Sequence, residues 1–163
     1  MKSKKYEKMI AEDAVESYLY ARDILKAPFP LGEKAISTSA EFSYLYAKDV
    51  LKAPFKLGEK AISTSSNLSY SYAKYILKTP WLLGEKAIAK NSYYSFCYAR
   101  KVLNAPFKLG EKAIAKDAIH SFLYAILILD KQFLLGEKIM ATDKDINDSY
   151  KKFLKRVNLR IAL

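Results

Sequence analysis

Hydrophobic and polar positions recur along this chain in one frame that repeats every 26 residues. Within each frame, Ser, Tyr, Ala, Ile or Val, and Leu fall at positions i, i+3, i+4, i+7 and i+8, a spacing that places them on one stripe of an α-helix. In the first frame these residues are Ser17, Tyr20, Ala21, Ile24 and Leu25. We expect this stripe to form the core, with Ser and Ala allowing close helix packing and Ile and Leu filling the space between layers.

The residues that open and close each frame predict where helices begin and end. Every opening residue is a preferred N-cap, whose side-chain oxygen accepts a free backbone N–H of the first turn. These residues are Asp13, Ser39, Ser65, Asn91, Asp117 and Asp143. A helix of about 13 residues should follow and end near a proline, because the residue before proline is pushed out of the α region. The prolines are Pro28, Pro54, Pro80 and Pro106.

The phrase Leu-Gly-Glu-Lys follows each proline region, first at Leu31–Lys34, and predicts a second, shorter helix. Its glycine lacks a side chain and should let two backbones approach each other. A period of this length is typical of stacked helical units. The sequence therefore predicts an all-α fold, an α-solenoid of stacked long-helix and short-helix pairs in a single domain spanning residues 1–163. Residues 1–12 match the second half of a frame, residues 13–142 hold five repeats, and residues 143–163 form a polar C-terminal capping helix.

Two further columns recur in every repeat. The tyrosine column should bury its rings and leave each hydroxyl a polar partner, although a stacking platform for nucleic-acid bases is the alternative. Its members are Tyr20, Tyr46, Tyr72, Tyr98, Tyr124 and Tyr150. The glutamate column should complement the positive start of each short helix and pair with a basic residue of a neighbouring repeat. Its members are Glu7, Glu33, Glu59, Glu85, Glu111 and Glu137.

Composition and charge narrow the function classes only modestly. Lys and Arg number 28 against 17 Asp and Glu, and the net charge of +11 permits attraction to nucleic acid, anionic membranes or acidic proteins. Cys97 is the only cysteine, which excludes an internal disulfide, and no apolar stretch approaches the ~18 residues that span a bilayer. We therefore expect a cytoplasmic protein without a membrane partner.

The chemistry expected of enzymes and metalloproteins is missing from the sequence. His120 and Cys97 are the only residues of their types and fall in different columns of different repeats. No zinc-ligand spacing, phosphate-binding glycine loop or nucleophile elbow occurs. The sequence predicts no catalytic residues, no metal and no cofactor.

Columns that vary between repeats are the candidates for partner contact. Apolar residues in the outer columns predict a protein-binding surface, unless neighbouring helices bury them. They are Leu19, Phe42, Leu45, Leu68, Tyr75, Tyr94, Leu123 and Leu127. Self-association through these residues is a further alternative.

A basic ridge on the long helices is the candidate phosphate-binding surface of a nucleic-acid-binding protein. It comprises Arg22, Lys26, Lys48, Lys52, Lys74, Lys78 and Arg100. In the competing interpretation, Asp23 and Asp49 neutralise part of the ridge by pairing with Lys48 and Lys74 of the next repeat. Lysines near a helix C-terminus also stabilise the helix dipole without any ligand.

The order of N-cap, helix, proline and short helix resembles the leucine-rich variant repeats and, in layout, HEAT-like repeats. The amino-acid sequence of Tyr46–Lys52 and Leu57–Ser63 resembles that of tandem 26-residue α-helical repeat proteins of tailed bacteriophages. That resemblance implies an accessory protein acting in the cytoplasm of a bacterial host. We therefore predict a non-enzymatic scaffold that binds, and inhibits or sequesters, a host protein such as a defence factor. The alternative is a nucleic-acid-binding α-solenoid.

Overall fold

The structure is a computed structural model that describes residues 4–161, with side chains described as far as residue 158. The ends of the predicted half unit and capping helix, residues 1–3 and 162–163, lie outside the described residues. Within the described part the chain is all-helical, contains no strand and packs its helices against their neighbours in a repeat-like order, which confirms the predicted class. The chain divides into two compact units, Met1–Ala87 and Ile88–Leu163.

The α-helices of the first unit are α1 (Lys4–Ile10), α2 (Ala14–Leu19), α3 (Glu33–Ile36), α4 (Ala40–Leu45), α5 (Glu59–Ile62), α6 (Ser66–Ser71) and most of α7 (Leu82–Ile88). The second unit holds α8 (Ser92–Tyr98), α9 (Glu111–Ile114), α10 (Ala118–Tyr124), α11 (Leu134–Met140) and α12 (Lys144–Ile161). Single 3₁₀ turns, Lys56–Gly58 and Lys108–Gly110, lead into α5 and α9.

Five of the α-helices continue directly as π-helical segments, and we call each such pair a long helix. The segments are Tyr20–Leu25, Tyr46–Leu51, Tyr72–Leu77, Ala99–Leu103 and Ala125–Leu129. The helices that carry Glu-Lys, such as α3 and α5, are the short helices. The first long helix, Ala14–Leu25, agrees with the expected length.

The predicted N-caps are confirmed at five of six positions within the described residues. The carboxylate of Asp13 accepts the N–H of Glu16 at 2.9 Å, and Ser39, Asn91, Asp117 and Asp143 make the equivalent bond. Ser65 is the exception, because its hydroxyl donates to Asn67 instead. These local bonds explain why four of the five long helices, and α12, begin where the sequence predicts.

Each long helix ends at a residue in the left-handed conformation. These residues are Lys26, Lys52, Lys78, Asn104 and Asp130, with φ between 46° and 56°. In the first repeat the N–H groups of Lys26 and Ala27 both donate to the carbonyl of Ala21, so the last turn is wide. The helix therefore ends at Leu25, three residues before Pro28, and the left-handed residue Lys26 rather than the proline itself terminates it.

Part of the predicted core stripe, in the π-helical segment of the first repeat, is exposed because no long helix comes before it among the described residues. The same π-helical backbone occurs in the later repeats, where these columns are half-buried, so the wide turn itself does not expose them. Ile24 is 56% exposed and Leu25 is 38% exposed, which makes their assignment to the core wrong. Their equivalents Val50 and Leu51 are half-buried. Ser17, Tyr20 and Ala21, which precede or begin the segment, are buried as predicted.

The tyrosine column links consecutive repeats and forms the centre of the core. Tyr46 is fully buried; its hydroxyl accepts the N–H of Phe29 at 2.9 Å and donates to Glu33 Oε1 at 2.9 Å. Its ring packs edge-on against Phe55, with 5.0 Å between centroids. Tyr124 repeats these bonds in the second unit. The buried rings leave no free face for a nucleic-acid base, so the stacking alternative is wrong.

The glutamate column lies in the first turn of each short helix, as predicted, but the ion pairs of two of its members are not those expected. Besides the tyrosine bond, Glu59 pairs with Lys56 at 3.1 Å and Glu111 pairs with Lys108 at 3.2 Å. These lysines belong to the same repeat as the glutamate, so the expected pairing with a neighbouring repeat's base is wrong here. The link between repeats is the tyrosine hydroxyl.

The glycine of each short helix is required by side-chain packing rather than by close approach of two backbones. The hydroxyl of Ser43, fully buried, donates to the carbonyl of Ile36 at 2.9 Å. A Cβ on Gly58 would lie 2.5 Å from Ser43 Oγ and 2.6 Å from a ring carbon of Phe55. The serine, glycine and aromatic columns are therefore one packing unit, repeated along the chain.

Candidate partner-binding surfaces

The predicted apolar surface separates into exposed and half-buried residues. Leu19, Tyr75 and Leu127 are exposed. The half-buried members are Phe42, Leu45, Leu68, Tyr94 and Leu123. Packing between long helices explains the second group, because the ring of Tyr18 lies against Phe42 with 5.6 Å between centroids. The competing interpretation, burial by a neighbouring helix, is therefore confirmed for part of the surface.

An open groove lies between α1 and the first long helix, and we call it the end groove. Its volume is about 380 Å³. It is lined by Tyr6, Met9, Ile10, Glu16, Leu19, Tyr20, Asp23 and Ile24. Met9 is 63% exposed, Ile24 56% and Leu19 39%, so three large apolar side chains border it. Only Leu19 is among the predicted partner-binding residues.

The second repeat shows what fills the equivalent of the end groove. The positions 26 residues after Glu16 and Asp23 are Phe42 and Asp49. There the long helix of the first repeat covers both: the Tyr18 ring packs on Phe42, and its hydroxyl donates to Asp49 Oδ2 at 2.9 Å. In the first repeat, α1 is the one element that comes earlier among the described residues. The end groove is thus the place that a long helix occupies one repeat later.

Acidic groups line one side of the end groove. Glu16 is exposed, and the sequence just before it adds the exposed carboxylates of Glu12 and Asp13. Asp23 holds the guanidinium of Arg22 through two contacts of 2.7 Å, which lower the pKa of Asp23. Glu16 is therefore the groove carboxylate best placed to meet a basic group of a partner.

The tyrosine at the base of the end groove is already committed to the scaffold. Tyr20 donates its hydroxyl to Glu7 Oε1 at 2.9 Å, and this bond raises the pKa of Tyr20. Its ring also contacts Tyr6 and Phe29 edge-on. Tyr20 therefore supplies a fixed apolar floor, while Met9, Leu19 and Ile24 form the accessible sides.

The basic ridge is partly neutralised, although not by the predicted pairs. Arg22 binds Asp23 of its own repeat, and Lys48 lies 3.8 Å from the carboxylate of Asp49. The expected pairs between Asp23 and Lys48 and between Asp49 and Lys74 are therefore wrong. Side-chain direction on the long helices decides this, since Asp49 turns toward Tyr18.

The remaining ridge residues have different surroundings. Lys74 lies over two aromatic rings, 4.6 Å from the centroid of Tyr75 and 5.5 Å from that of Tyr70. Lys52, Lys78 and Arg100 are exposed. Arg22, Lys26 and Lys52 also meet at a small cavity of about 210 Å³, together with Ala21, Asp49 and Val50. The ridge thus retains cations, and one carboxylate lies among them.

No family model, curated protein or solved structure matches the chain. A functional conclusion must therefore come from the residues and geometry of this chain.

The residues that could carry chemistry have structural partners instead. His120 Nδ1 lies 3.1 Å from both Asp117 and Ser92, and its ring stacks on Phe96. Cys97 is half-buried. Over the part of the chain that the structure describes, no cluster of His, Cys, Asp or Glu is arranged to hold a metal ion. Nor does any helix in that part combine the length and apolar character needed to cross a bilayer.

A second exposed surface, not expected from the sequence, lies on the short helices and on the turns that lead into them. The leucine of each Leu-Gly-Glu-Lys phrase is exposed, although its constancy suggests a core residue. These are Leu31, Leu57, Leu83, Leu109 and Leu135. The lysine three residues after each leucine is exposed as well. No pattern in the sequence separates these leucines from the constant residues of the core.

Proposed function

We propose that this chain is a non-enzymatic α-solenoid that binds a partner protein and holds an amphipathic helix of that partner in the end groove. The observation that carries the proposal is the position of the groove, where a long helix packs in the next repeat. A groove shaped by the fold for a helix selects a helical ligand over an extended one.

The proposed solenoid follows from extending, over the whole chain, the contacts between repeats that are seen within each unit. Tyr46 and Tyr72 in the first unit, and Tyr124 and Tyr150 in the second, each bond to the aromatic residue and the glutamate of the preceding repeat. Identical links between successive repeats are the means by which stacked helical arrays build a continuous core. A scaffold of this kind presents its variable surface residues to a partner.

The lining of the end groove defines the chemistry of the partner helix. Its apolar face should contact Met9, Leu19 and Ile24, and large apolar side chains bordering a pocket are typical anchor sites. The helix that occupies the equivalent place in the second repeat presents an aromatic residue, Tyr18. We therefore expect an aromatic or branched aliphatic anchor on the partner, with Lys or Arg positioned to meet Glu16.

The resemblance to tandem-repeat proteins of tailed bacteriophages supports a host protein as that partner. Binding would then occur in the bacterial cytoplasm and would inhibit or sequester the bound factor.

The test begins with nuclease-treated capture from a bacterial lysate and continues with the purified partner in titration calorimetry. Ile24→Asp should weaken binding by about 30-fold, because it places a charge at an apolar anchor position. The control is Leu109→Asp, a similarly exposed leucine outside the groove, which should bind as the wild type does. Both residues are exposed, so the circular dichroism spectrum should not change.

Binding of the partner by Ile24→Asp within twofold of the wild type would contradict the proposal. A concentration-dependent mass in light scattering that Ile24→Asp abolishes would also contradict it. In that case the helix in the groove would belong to a second copy of this chain.

Nucleic-acid binding is the second candidate, and the cavity that brings Arg22, Lys26 and Lys52 together favours it. Affinity for a duplex should then fall steeply with salt, and Lys26→Glu with Lys52→Glu should abolish it. Ile24→Asp should leave that affinity unchanged. Asp49, which lies in the same cavity, is the observation against this candidate.

A further inference from the structure

The short helices present a surface that the proposed helix-binding site does not use. The leucine of each Leu-Gly-Glu-Lys phrase is between 51% and 62% exposed. In the first unit these are Leu31, Leu57 and Leu83, with Leu82 beside them at 80% exposure. In the second unit they are Leu109 and Leu135, with Leu134 at 70%. We call each set, with the lysine three residues after each phrase leucine, a leucine–lysine surface.

The lysines of this surface are exposed, and within the described residues none forms an ion pair with a carboxylate. They are Lys34, Lys60 and Lys86 in the first unit, and Lys112 and Lys138 in the second. Leu31 and Lys34 line one open groove of about 440 Å³ with Ala11, Glu12, Ala35 and Thr38. Glu12 supplies the carboxylate of that groove. The equivalent positions in the next two repeats are Thr38 and Thr64, which carry no charge.

Packing within the fold does not explain why the leucine is constant. Apart from the lysine that shares this surface, the constant glycine, tyrosine and isoleucine columns are buried or bonded: the glycine packs beside serine, the tyrosine binds glutamate, and the isoleucine is fully buried. The leucine recurs in the same repeats and stays exposed. A residue that is the same in every repeat and is more than half exposed points to a ligand outside the chain.

The chemistry of the surface identifies the class of that ligand. Identical leucine and lysine pairs at each repeat suit a ligand that is uniform along its length, whereas a folded protein would meet different residues at each step. Leucine inserts at the boundary between headgroups and acyl chains, and lysine attracts anionic headgroups. A second copy of the chain would bring lysines against lysines, and a nucleic acid would leave the leucines in water.

We propose that the leucine–lysine surface binds the surface of an anionic lipid bilayer. The bilayer is contacted from outside, with leucine side chains at the headgroup boundary and no spanning segment. This differs from the sequence-based expectation of a protein without a membrane partner. It is also independent of the end groove, which lies between α1 and the first long helix and uses other residues.

The test is cosedimentation of the full chain with vesicles of phosphatidylglycerol and phosphatidylcholine in equal parts. The wild type should bind these vesicles and should not bind vesicles of phosphatidylcholine alone. The variant Leu31→Ser/Leu57→Ser keeps the charge and removes two inserted side chains, and should lower the partition coefficient by roughly tenfold or more. Because both leucines are exposed, the variant should keep its helical spectrum and, as a check of folding, its affinity for the end-groove partner.

A pair of charge variants separates this surface from general electrostatic attraction. Lys34→Gln/Lys60→Gln should weaken vesicle binding roughly fivefold per lysine. Lys26→Gln/Lys52→Gln removes the same charge from the basic ridge. It should weaken vesicle binding by no more than about twofold, because salt screens charges that lie outside the contact.

Three results would overturn the proposal: no binding of the wild type to anionic vesicles at low salt, equal losses from the two charge variants, or normal binding by the leucine variant. If the wild type does not bind the vesicles but captures an acidic protein from lysate, and the leucine variant does not capture it, the surface is a protein-docking site instead.

Discussion

Tyr46→Phe tests whether the tyrosine link between repeats is a main source of stability. The substitution keeps the ring and removes the one oxygen that accepts the N–H of Phe29 at 2.9 Å and donates to Glu33. Tyr46 is fully buried and Phe29 is nearly so, which leaves no route for water to replace the lost acceptor. A stranded buried donor costs ~1–3 kcal/mol beyond the lost bond itself, so we expect a loss of about 2–4 kcal/mol.

Ser43→Ala is the matched control for this prediction. It also removes a buried hydroxyl, which donates to the carbonyl of Ile36 at 2.9 Å. That carbonyl keeps a second donor, the N–H of Ser39 at 3.1 Å, so no buried group is left without a partner. The cost should be that of one ordinary hydrogen bond, about 1 kcal/mol.

Urea unfolding followed by circular dichroism measures both losses from the extrapolated free energy of unfolding. Amide hydrogen exchange at Phe29 adds a local measure, and protection there should fall in Tyr46→Phe far more than in Ser43→Ala. If Tyr46→Phe costs no more than Ser43→Ala, the stranded N–H is not the dominant effect and the reasoning is refuted.

Two further predictions concern the helix ends and the titration of the core. Lys52→Gly should stabilise the chain by about 0.5–1 kcal/mol, because glycine adopts the left-handed conformation found there without strain. Asn104→Gly should stabilise it less, since asparagine tolerates the left-handed conformation. A lower free energy of unfolding of the Lys52 variant in urea would contradict this prediction. Burial raises the pKa of Tyr46 and Tyr72 above their ordinary value of 10.0, and the neighbouring glutamates add to the effect. Their contribution to stability is therefore complete below pH 10.0 and lost as the pH rises further. The tyrosinate absorbance of the native protein should rise at a higher pH than that of the protein unfolded in guanidinium, and helicity should fall as this absorbance rises. Coincident titration curves of the native and unfolded protein would contradict the prediction.

The features predicted correctly from the sequence are those that depend on local or repeated interactions. The N-cap at Asp13 needs only its own side chain and an N–H three residues later, so residue type and position were enough. The burial of the tyrosine column followed from its recurrence with a polar hydroxyl at the stripe edge. Its bond to the preceding glutamate was not predictable, because it depends on how two repeats pack.

The misplaced residues show what periodicity cannot reveal. Periodicity places Ile24 in the core, as it does Val50 in the next repeat, but it cannot show that no long helix covers Ile24 among the described residues. Leu31 was overlooked because constancy was equated with burial. The end groove depends on which helix precedes the first long helix, a property of the arrangement that the residue types of Met9 and Leu19 do not encode.

The spacing of the tyrosine bonds constrains how a gene for such a protein can change in length. Four tyrosines of the column, Tyr46, Tyr72, Tyr124 and Tyr150, reach an N–H 17 residues earlier and a carboxylate 13 residues earlier. In-register duplication or loss of one complete 26-residue segment would preserve both separations for every remaining tyrosine, whereas an insertion of another size between the partners would separate them. Descendants of this gene should therefore differ by whole modules, and the protein could be matched to a larger or smaller target by unequal recombination without redesign of its interior.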